Sequence, residues 1–231
     1  MIYVHLGGGV GDLDPRVNYQ CGFTKFIKNN AKASDQIIII EANKNNISQL
    51  RKSWINYPNA TILNVAIVSS NFSNKLIKFY YAEDDAPYYQ VCSYDLNHVK
   101  KHHPQSIIKN FEVESITIDQ LFNDYIISST IDYLSIDIEG LDYDLVMSID
   151  FKKYLIHNIS IEHLHLTKLQ KFRMNNYLKK FGFSYCGYGY DHNNFDYLFK
   201  RKKIFLNQFL SNFLFIIGRK HLKYFNKFLK Y

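Results

Sequence analysis

An α/β fold built on a mostly parallel sheet is predicted by three features of the sequence. Short apolar runs alternate with segments of helical periodicity, the pattern of strand–helix–strand units. One of the runs, Gln36–Glu41 (QIIIIE), is β-branched without alternation, as expected of a strand covered on both faces, and Ile131–Asp137 reads as a further buried strand. The first run stops at a cluster of glycines, where the backbone is free to turn sharply and approach another group closely.

Taken in order, Ile2–Leu6 is the first strand and residues 7–18 are loop. Tyr19–Asn30 sets Phe23, Phe26 and Ile27 on one helical face, and Gln36–Glu41 is the second strand. Asn46–Asn56 turns Ile47, Leu50 and Trp54 inward as a second helix, and Thr61–Val65 is the third strand. Residues 69–115 break this rhythm. Lys75–Tyr81 reads as a strand, and Glu83–Gln105 as a long polar, aromatic, histidine-rich loop, of the kind that is usually functional. Alternation resumes with a strand at Ile131–Asp137, a short helix at Tyr143–Ser148 and a strand at Asn158–Glu162. A helix at Thr167–Phe181 ends at Gly182, and Phe183–Gly187 with Asn194–Phe199 form a closing antiparallel pair.

A chain of 231 residues is one domain, or one domain with an appendage. The net charge of +7 is carried by its end: Lys200–Tyr231 holds nine Lys and Arg and no acid, so the remainder is slightly acidic. That distribution argues against a nucleic-acid reader, which lines a face of its body with basic residues. The body is accordingly assigned to residues 1–200 and a basic, amphipathic helical tail to residues 201–231. Phe205, Phe209, Phe213 and Ile216 share one side of the tail, which either packs on the body or a second copy or lies on an anionic membrane surface. A homo-oligomer is expected. Three dispersed cysteines form no CxxC pair, which suggests a reducing cytoplasm rather than a disulfide framework. The opening MIYVHLGGG lacks the features of a signal peptide, and the longest apolar-rich run, Phe209–Ile217, is well short of the ~20 residues of a membrane span.

Four constellations carry chemistry. Gly7, Gly9 and Gly11 follow the first strand in a G-x-G-x-G spacing, and Asp12 stands where a dinucleotide fingerprint has its third glycine. Asp12 and Asp14 there would repel a pyrophosphate, whereas a ligand bearing a sulfonium and an amino group tolerates them. Glu41 ends the second strand, the place of a carboxylate that accepts from both hydroxyls of a ribose; otherwise it is a solvated strand end. Asp132–Gly140 (DYLSIDIEG) delivers Asp137 and Glu139 to the carboxyl end of a buried strand, where they suit a divalent cation or a general base, unless one merely caps the next helix. Ile159–His165 (ISIEHLH) brings Glu162 and His163 to the end of the following strand, with His163 a candidate base or a structural residue. A divalent ion, if used, is assigned to Asp137 and Glu162.

In this order, the pieces resemble the FkbM family of methyltransferases. The matching segments are HLGGGVG, IIIIEANKNNISQL, NVAIVSS at Asn64–Ser70, SITIDQL at Ser115–Leu121 and DYLSIDIEGLDYDLV at Asp132–Val146. The resemblance implies a Rossmann-like class I methyltransferase fold: a seven-stranded sheet in the order 3-2-1-4-5-7-6, strand 7 antiparallel, helices on both faces. It implies S-adenosyl-L-methionine as donor and O-methylation of sugars or polyketide-type hydroxyls. Carried over, Gly7, Gly9 and Gly11 cradle the methionine moiety, Glu41 holds the ribose, Asn64 and Ala66 border the adenine, and Asp137 and Glu139 flank the reactive centre. His5 replaces the family's usual acid in the first strand, so Asp12 or a water is assigned the donor's amino group. Gly8-Gly9 stands for the common Ala-Asn, and Ala42 for a Pro.

The expected activity is methyl transfer to a sugar hydroxyl, with Asp137, Glu139 and Glu162 around the acceptor and His163 as reserve base. The loop at residues 83–104 forms the acceptor pocket and lid, or else is a surface excursion. In the former case Tyr88, Tyr89 and Tyr94 stack on sugar faces, while Gln90, Ser93, His98, His102 and His103 bond hydroxyls with His165 beside them. Alternatives are a methyltransferase of a non-sugar secondary metabolite, a non-catalytic nucleoside-binding module and a dinucleotide oxidoreductase, the last disfavoured by Asp12.

Overall fold

A computed structural model describes residues 1–12, 21–86, 89, 91–190 and 194–201. The predicted tail beyond Arg201, together with Tyr88 and Gln90, lies outside the described residues. β1 (Ile2–Leu6), β2 (Gln36–Ile40) and β3 (Ala60–Leu63) are parallel neighbours, linked by helices α1 (Gly22–Asn30) and α2 (Lys44–Ser53). Asn64 and Val65 then lead out of this sheet. β4 (Ala66–Val68), β5 (Leu76–Ala82) and β6 (Ile108–Thr117) form a separate small sheet in the order β4-β6-β5, with α3 (Leu96–His102) between β5 and β6. β6 runs straight into α4 (Ile118–Tyr125), and β7 (Thr130–Ile136) returns to the free edge of β1. α5 (Asp142–Ser148) crosses to β8 (Leu155–Glu162), and α6 (Lys168–Lys180) precedes β9 (Phe183–Tyr188) and β10 (Asp196–Arg201). The main sheet has seven strands in the order β3-β2-β1-β7-β8-β10-β9, with β10 antiparallel to both neighbours. This is the order and direction that the family resemblance implies.

Period-two alternation divides the sheet's side chains between two cores. Val4, Leu6, Ile38, Ile40, Leu134 and Ile136 meet α4, α5 and α6 through Phe122, Leu145 and Met174. Tyr3, Ile37, Ile39 and Tyr133 meet Phe23, Ile27 and Leu50 of α1 and α2. Each such fully buried side chain stabilises the fold by ~1.5–3 kcal/mol relative to exposure. The tyrosines at positions 3 and 133 are fully buried where aliphatics would be expected, and stacking supports them: Phe23 lies 5.8 Å from Tyr133, nearly parallel.

The structure differs from the sequence reading at residues 69–115. Much of the expected loop is ordered: a 3₁₀ turn at Glu83–Asp85, then α3, then the ten-residue β6. α3 buries a single apolar residue, Val99, and begins at Asp95, whose carboxylate accepts the Asn97 N–H at 2.9 Å. One buried residue in seven leaves no helical stripe to read. β6 exposes Lys109, Asn110 and Glu112, so it reads as polar, and its length comes from pairing with β5. α2 also starts earlier than expected, at an Asn43 cap that accepts the Asn45 N–H. Among the described residues no helix is long and apolar enough to cross a membrane.

Candidate active site

The glycines and carboxylates singled out above meet at the carboxyl edge of the main sheet. There β1 separates β2 from β7, and the crossovers depart to opposite faces, the usual place for a ligand in an open parallel sheet. Gly7 is held at φ +91°, and a Cβ on it would lie 1.6 Å from the Asp137 carbonyl oxygen. Glycine therefore lets the ends of β1 and β7 touch. The N–H groups of Gly7 and Gly8 both donate to the Ile40 carbonyl at 2.9 Å. Gly9, at φ +53°, donates its N–H to Glu41 Oε2 at 2.7 Å.

Glu41 is thereby built into the glycine turn. Its Oε1 accepts the Asn43 N–H at 2.7 Å and the Asn46 side-chain amide at 3.4 Å. Burial pushes its carboxyl up to about 7, against the pull of these hydrogen bonds. Oε2, with one donor among the described residues, keeps acceptor capacity for a hydroxyl. A cavity of about 410 Å³ opens beside it, lined by Gly7, Gly9, Gly11, Asp12, Ala66 and Ile67 among others. Asp12 Oδ2 accepts the Cys21 N–H at 2.6 Å just before α1, and burial raises its carboxyl. His5, also lining the cavity, stacks on Phe23 at 4.5 Å; burial lowers its imidazole to about 3, leaving it neutral.

The cavity is also lined by a cluster of acids, Asp137, Glu139 and Glu162. Asp137 continues β7, its N–H donating to the Leu6 carbonyl at 3.0 Å. Burial pushes its carboxyl well above the ordinary range, helped by the negative charges of Glu162, Glu139 and Asp142. Glu139 sits at φ +52°, uncommon for a residue with a side chain. Its Oε2 lies 3.6 Å from His98 Nε2 and 3.4 Å from His165 Nε2, and His165 Nε2 lies 3.2 Å from Glu162 Oε1. Burial works to raise the Glu139 carboxyl, but hydrogen bonds from His165 and His98 outweigh it and hold it low. The bonds to Glu139 and Glu162 raise His165 to about 10, so that imidazole carries a proton. Beneath the turn, Asp142 accepts the N–H groups of Ile138 at 2.9 Å and Gly140 at 3.0 Å; burial lifts its carboxyl to about 6.

The cavity collects most of the residues predicted from the sequence: Gly7, Gly9, Gly11, Asp12, Glu41, Ala66, Tyr89, His98, His102, Asp137, Glu139, Glu162 and His165. Carboxylate oxygens of Asp137, Glu139 and Glu162 lie within 4.8 Å of one another, as do the ligand atoms of His98, Glu139 and His165. Five predicted residues within the described part of the chain are not among those lining it: Tyr94, which is exposed, His103, whose Nδ1 lies 3.0 Å from Asp84 Oδ1, and Asn64, Ser93 and His163. Asn64 spends its amide on the carbonyls of Glu41 and Ala42, at 2.9 and 3.0 Å. Ser93 is buried and donates its hydroxyl to the Glu139 carbonyl at 2.8 Å, tying the α3 segment to the acidic turn. His163 stacks on Tyr197 at 3.8 Å, with Nε2 3.0 Å from the Asn194 carbonyl and Nδ1 3.2 Å from Lys171 Nζ. Alternation explains the last case: Glu162 faces the cavity, so its immediate neighbour faces away, and the imidazole that reaches back is His165. The H-x-H spacing after a strand-end Glu carried that signal. Asp142 was missed, because its role is to hold backbone rather than ligand.

The sequence matches the family model of the methyltransferase FkbM domain over residues 11–188, beginning just after Gly7 and Gly9. No curated protein matches it. Among solved structures it is similar to the crystal structure of Aeropyrum pernix fibrillarin in complex with natively bound S-adenosyl-L-methionine, at 10% identity and a TM-score of 0.41. That similarity covers 86% of this chain and 64% of the fibrillarin chain, so it spans less than two-thirds of the fibrillarin's length. The family match takes in most of the chain, including Glu41 at the end of β2 and the Asp137–Glu139 turn after β7, and on that ground the chain belongs to the FkbM methyltransferase family.

Proposed function

We propose that this chain moves the methyl group of S-adenosyl-L-methionine onto a hydroxyl of a sugar, in a sugar nucleotide or a surface-polysaccharide unit. The observation that carries the proposal is the lining of one cavity. The same cavity is lined by a glycine turn fused to a buried carboxylate, Glu41, and by a cluster of Asp137, Glu139, Glu162 and His165.

In this reading the ribose hydroxyls donate to Glu41, and the adenine lies against Ala66 and Ile67. The ammonium group lies by Asp12 and the uncharged His5. The sulfonium then falls beside Asp137, where a positive charge opposes the upward shift that burial gives its carboxyl. The acceptor oxygen attacks the methyl carbon in line, the carbon–sulfur bond breaks and S-adenosylhomocysteine leaves as a neutral thioether. The hydroxyl proton passes to the Asp137 or Glu162 carboxylate. Because the donor is already activated, alignment and proton removal are what the protein supplies. Tyr89, His98 and His102 line the acceptor side and offer an aromatic face and hydrogen bonds, which suits a polyhydroxylated ring.

Calorimetry with S-adenosylmethionine and S-adenosylhomocysteine tests the donor, and mass spectrometry over a panel of sugar nucleotides tests the acceptor. Binding of both donor forms and a gain of one methyl on a sugar are expected. Silence toward both donor forms at millimolar concentration would remove the proposal. Methylation of non-sugar hydroxyls alone would move the acceptor to another class.

A further inference from the structure

We propose that His98, Glu139 and His165, backed by Glu162, form a binding site for a first-row divalent cation, zinc in the first instance, on the acceptor side of the cavity. This site goes beyond the methyl-transfer reading and does not depend on it. It also differs from the pairing of Asp137 with Glu162 expected from the sequence, because it draws its nitrogen ligands from two histidines.

The geometry is that of a ligand set. A tetrahedral ion bound at ~2.0–2.1 Å holds its ligand atoms about 3.4 Å apart. The observed separations are 3.6 Å for His98 Nε2 to Glu139 Oε2, 3.4 Å for His165 Nε2 to the same oxygen and 3.2 Å for His165 Nε2 to Glu162 Oε1. The ligand atoms of the triad all lie within 4.8 Å of one another. Two imidazoles and a carboxylate are the donor types that zinc and its first-row neighbours take.

A plain ion pair explains less. Protonated His165 satisfies Glu139 and one oxygen of Glu162. Among the described residues it leaves Glu162 Oε2 buried without a partner, on a side chain only 8% exposed. It also leaves two imidazoles, with ring centroids 4.4 Å apart, converging on one carboxylate oxygen. An ion bound by both nitrogens keeps both rings neutral and removes that conflict. Among the described residues no lysine or arginine lines the cavity to balance its carboxylates.

The ligands are held from behind, as metal ligands generally are. Ser93 fixes the Glu139 carbonyl, and Asp142 holds the N–H groups on either side of Glu139. His98 comes from α3, Glu139 from the turn after β7 and His165 from the loop after β8, so the ion would lock three separate segments together. With His98, Glu139 and His165 as ligands, the fourth position lies on the Glu162 side and takes that carboxylate, or a water or an acceptor hydroxyl held by it, whose pKa the ion lowers.

The test uses the full chain, stripped with a chelator and free of donor and acceptor. Zinc calorimetry is expected to give one ion per chain at micromolar affinity or better, and cobalt(II) a visible absorption band typical of four or five ligands. His98→Ala and His165→Ala are each expected to weaken zinc at least ~10-fold, with His163→Ala unchanged. X-ray absorption on the zinc-loaded wild type counts imidazole ligands without any substitution, and two are expected. No zinc heat from the wild type, no imidazole at the metal, or folded histidine variants that bind zinc like the wild type would each overturn the site. S-adenosylmethionine binding, measured separately on the stripped protein, shows independently whether the donor reading stands.

Discussion

The backbone carbonyl of Asp137 occupies the space that a side chain on Gly7 would need, 1.6 Å from the ideal Cβ position. The first glycine of the turn and the acid at the reactive end are therefore in direct contact through their main chains. Gly7→Ala must combine this clash with a positive φ, and a cost of roughly 2–4 kcal/mol is expected. Thermal melting followed by circular dichroism should fall by several degrees, and an unchanged melt would contradict the close approach.

Glu41→Gln sets an amide N–H₂ against the N–H of either Gly9 or Asn43, since the carboxylate accepts from both. Affinity for S-adenosylmethionine should drop at least ~10-fold, from one lost charge-assisted bond and a strained turn. The pH dependence has a definite sign. A carboxyl raised from 4.5 to about 7 in the fold binds its proton more tightly there than in the unfolded chain. Its contribution to stability is thus full below 4.5 and declines as pH rises to about 7. Asp142, raised from 3.8 to about 6, adds a slope of the same sign. Urea titrations of the ligand-free protein should show this decline, and Glu41→Gln should make it shallower.

His165 predicts a second window. Its imidazole rises from 6.5 to about 10 through bonds to Glu139 and Glu162. That stabilisation is complete below 6.5 and is lost as pH climbs through about 10. In metal-free protein the urea midpoint should fall across this range, and His165→Gln should abolish the fall. A variant that keeps the wild-type slope would show that the imidazole is not paired as described.

Asp137→Asn tests the proton acceptor. The change is nearly isosteric and leaves the main-chain contacts of Asp137 with Gly7 and Leu6 in place. Turnover should fall by ~100-fold or more, while the Kd for the donor stays within about tenfold. Normal turnover would take Asp137 out of the chemistry.

The parts legible in the sequence were those whose signal is local. The unbroken isoleucines of β2 announced a strand covered on both faces, and burial of Ile37–Ile40 follows from that. The IDIEG turn announced carboxylates at a strand end, and the structure brings Asp137 and Glu139 to the cavity. What escaped depends on partners distant in sequence. β6 alternates Phe111 and Val113 with Glu112 and Glu114, but how far the strand runs follows only from its pairing with β5 from Ile108 to Glu114. α3 has one buried residue and a cap, too little periodicity to read. His163 reads as the base in sequence because it stands next to Glu162, although strand alternation turns the adjacent residue away and brings His165 to the carboxylates. Asn64 and Ser93 carry polar groups that look free in sequence and are consumed by main-chain carbonyls in the fold.

The small sheet joins the large one at two seams. One is Asn64-Val65, pinned where the Asn64 amide grips the ends of β2. The other is Thr117, which ends β6 and at once caps α4 through a reciprocal bond with Gln120. Between these joints, the part of the chain beyond β4, including Tyr89 and His98, lies outside the seven strands and apart from Ala66 and Ile67, which the donor reading uses. A chimaera cut there is the natural route to a new acceptor on an old donor frame.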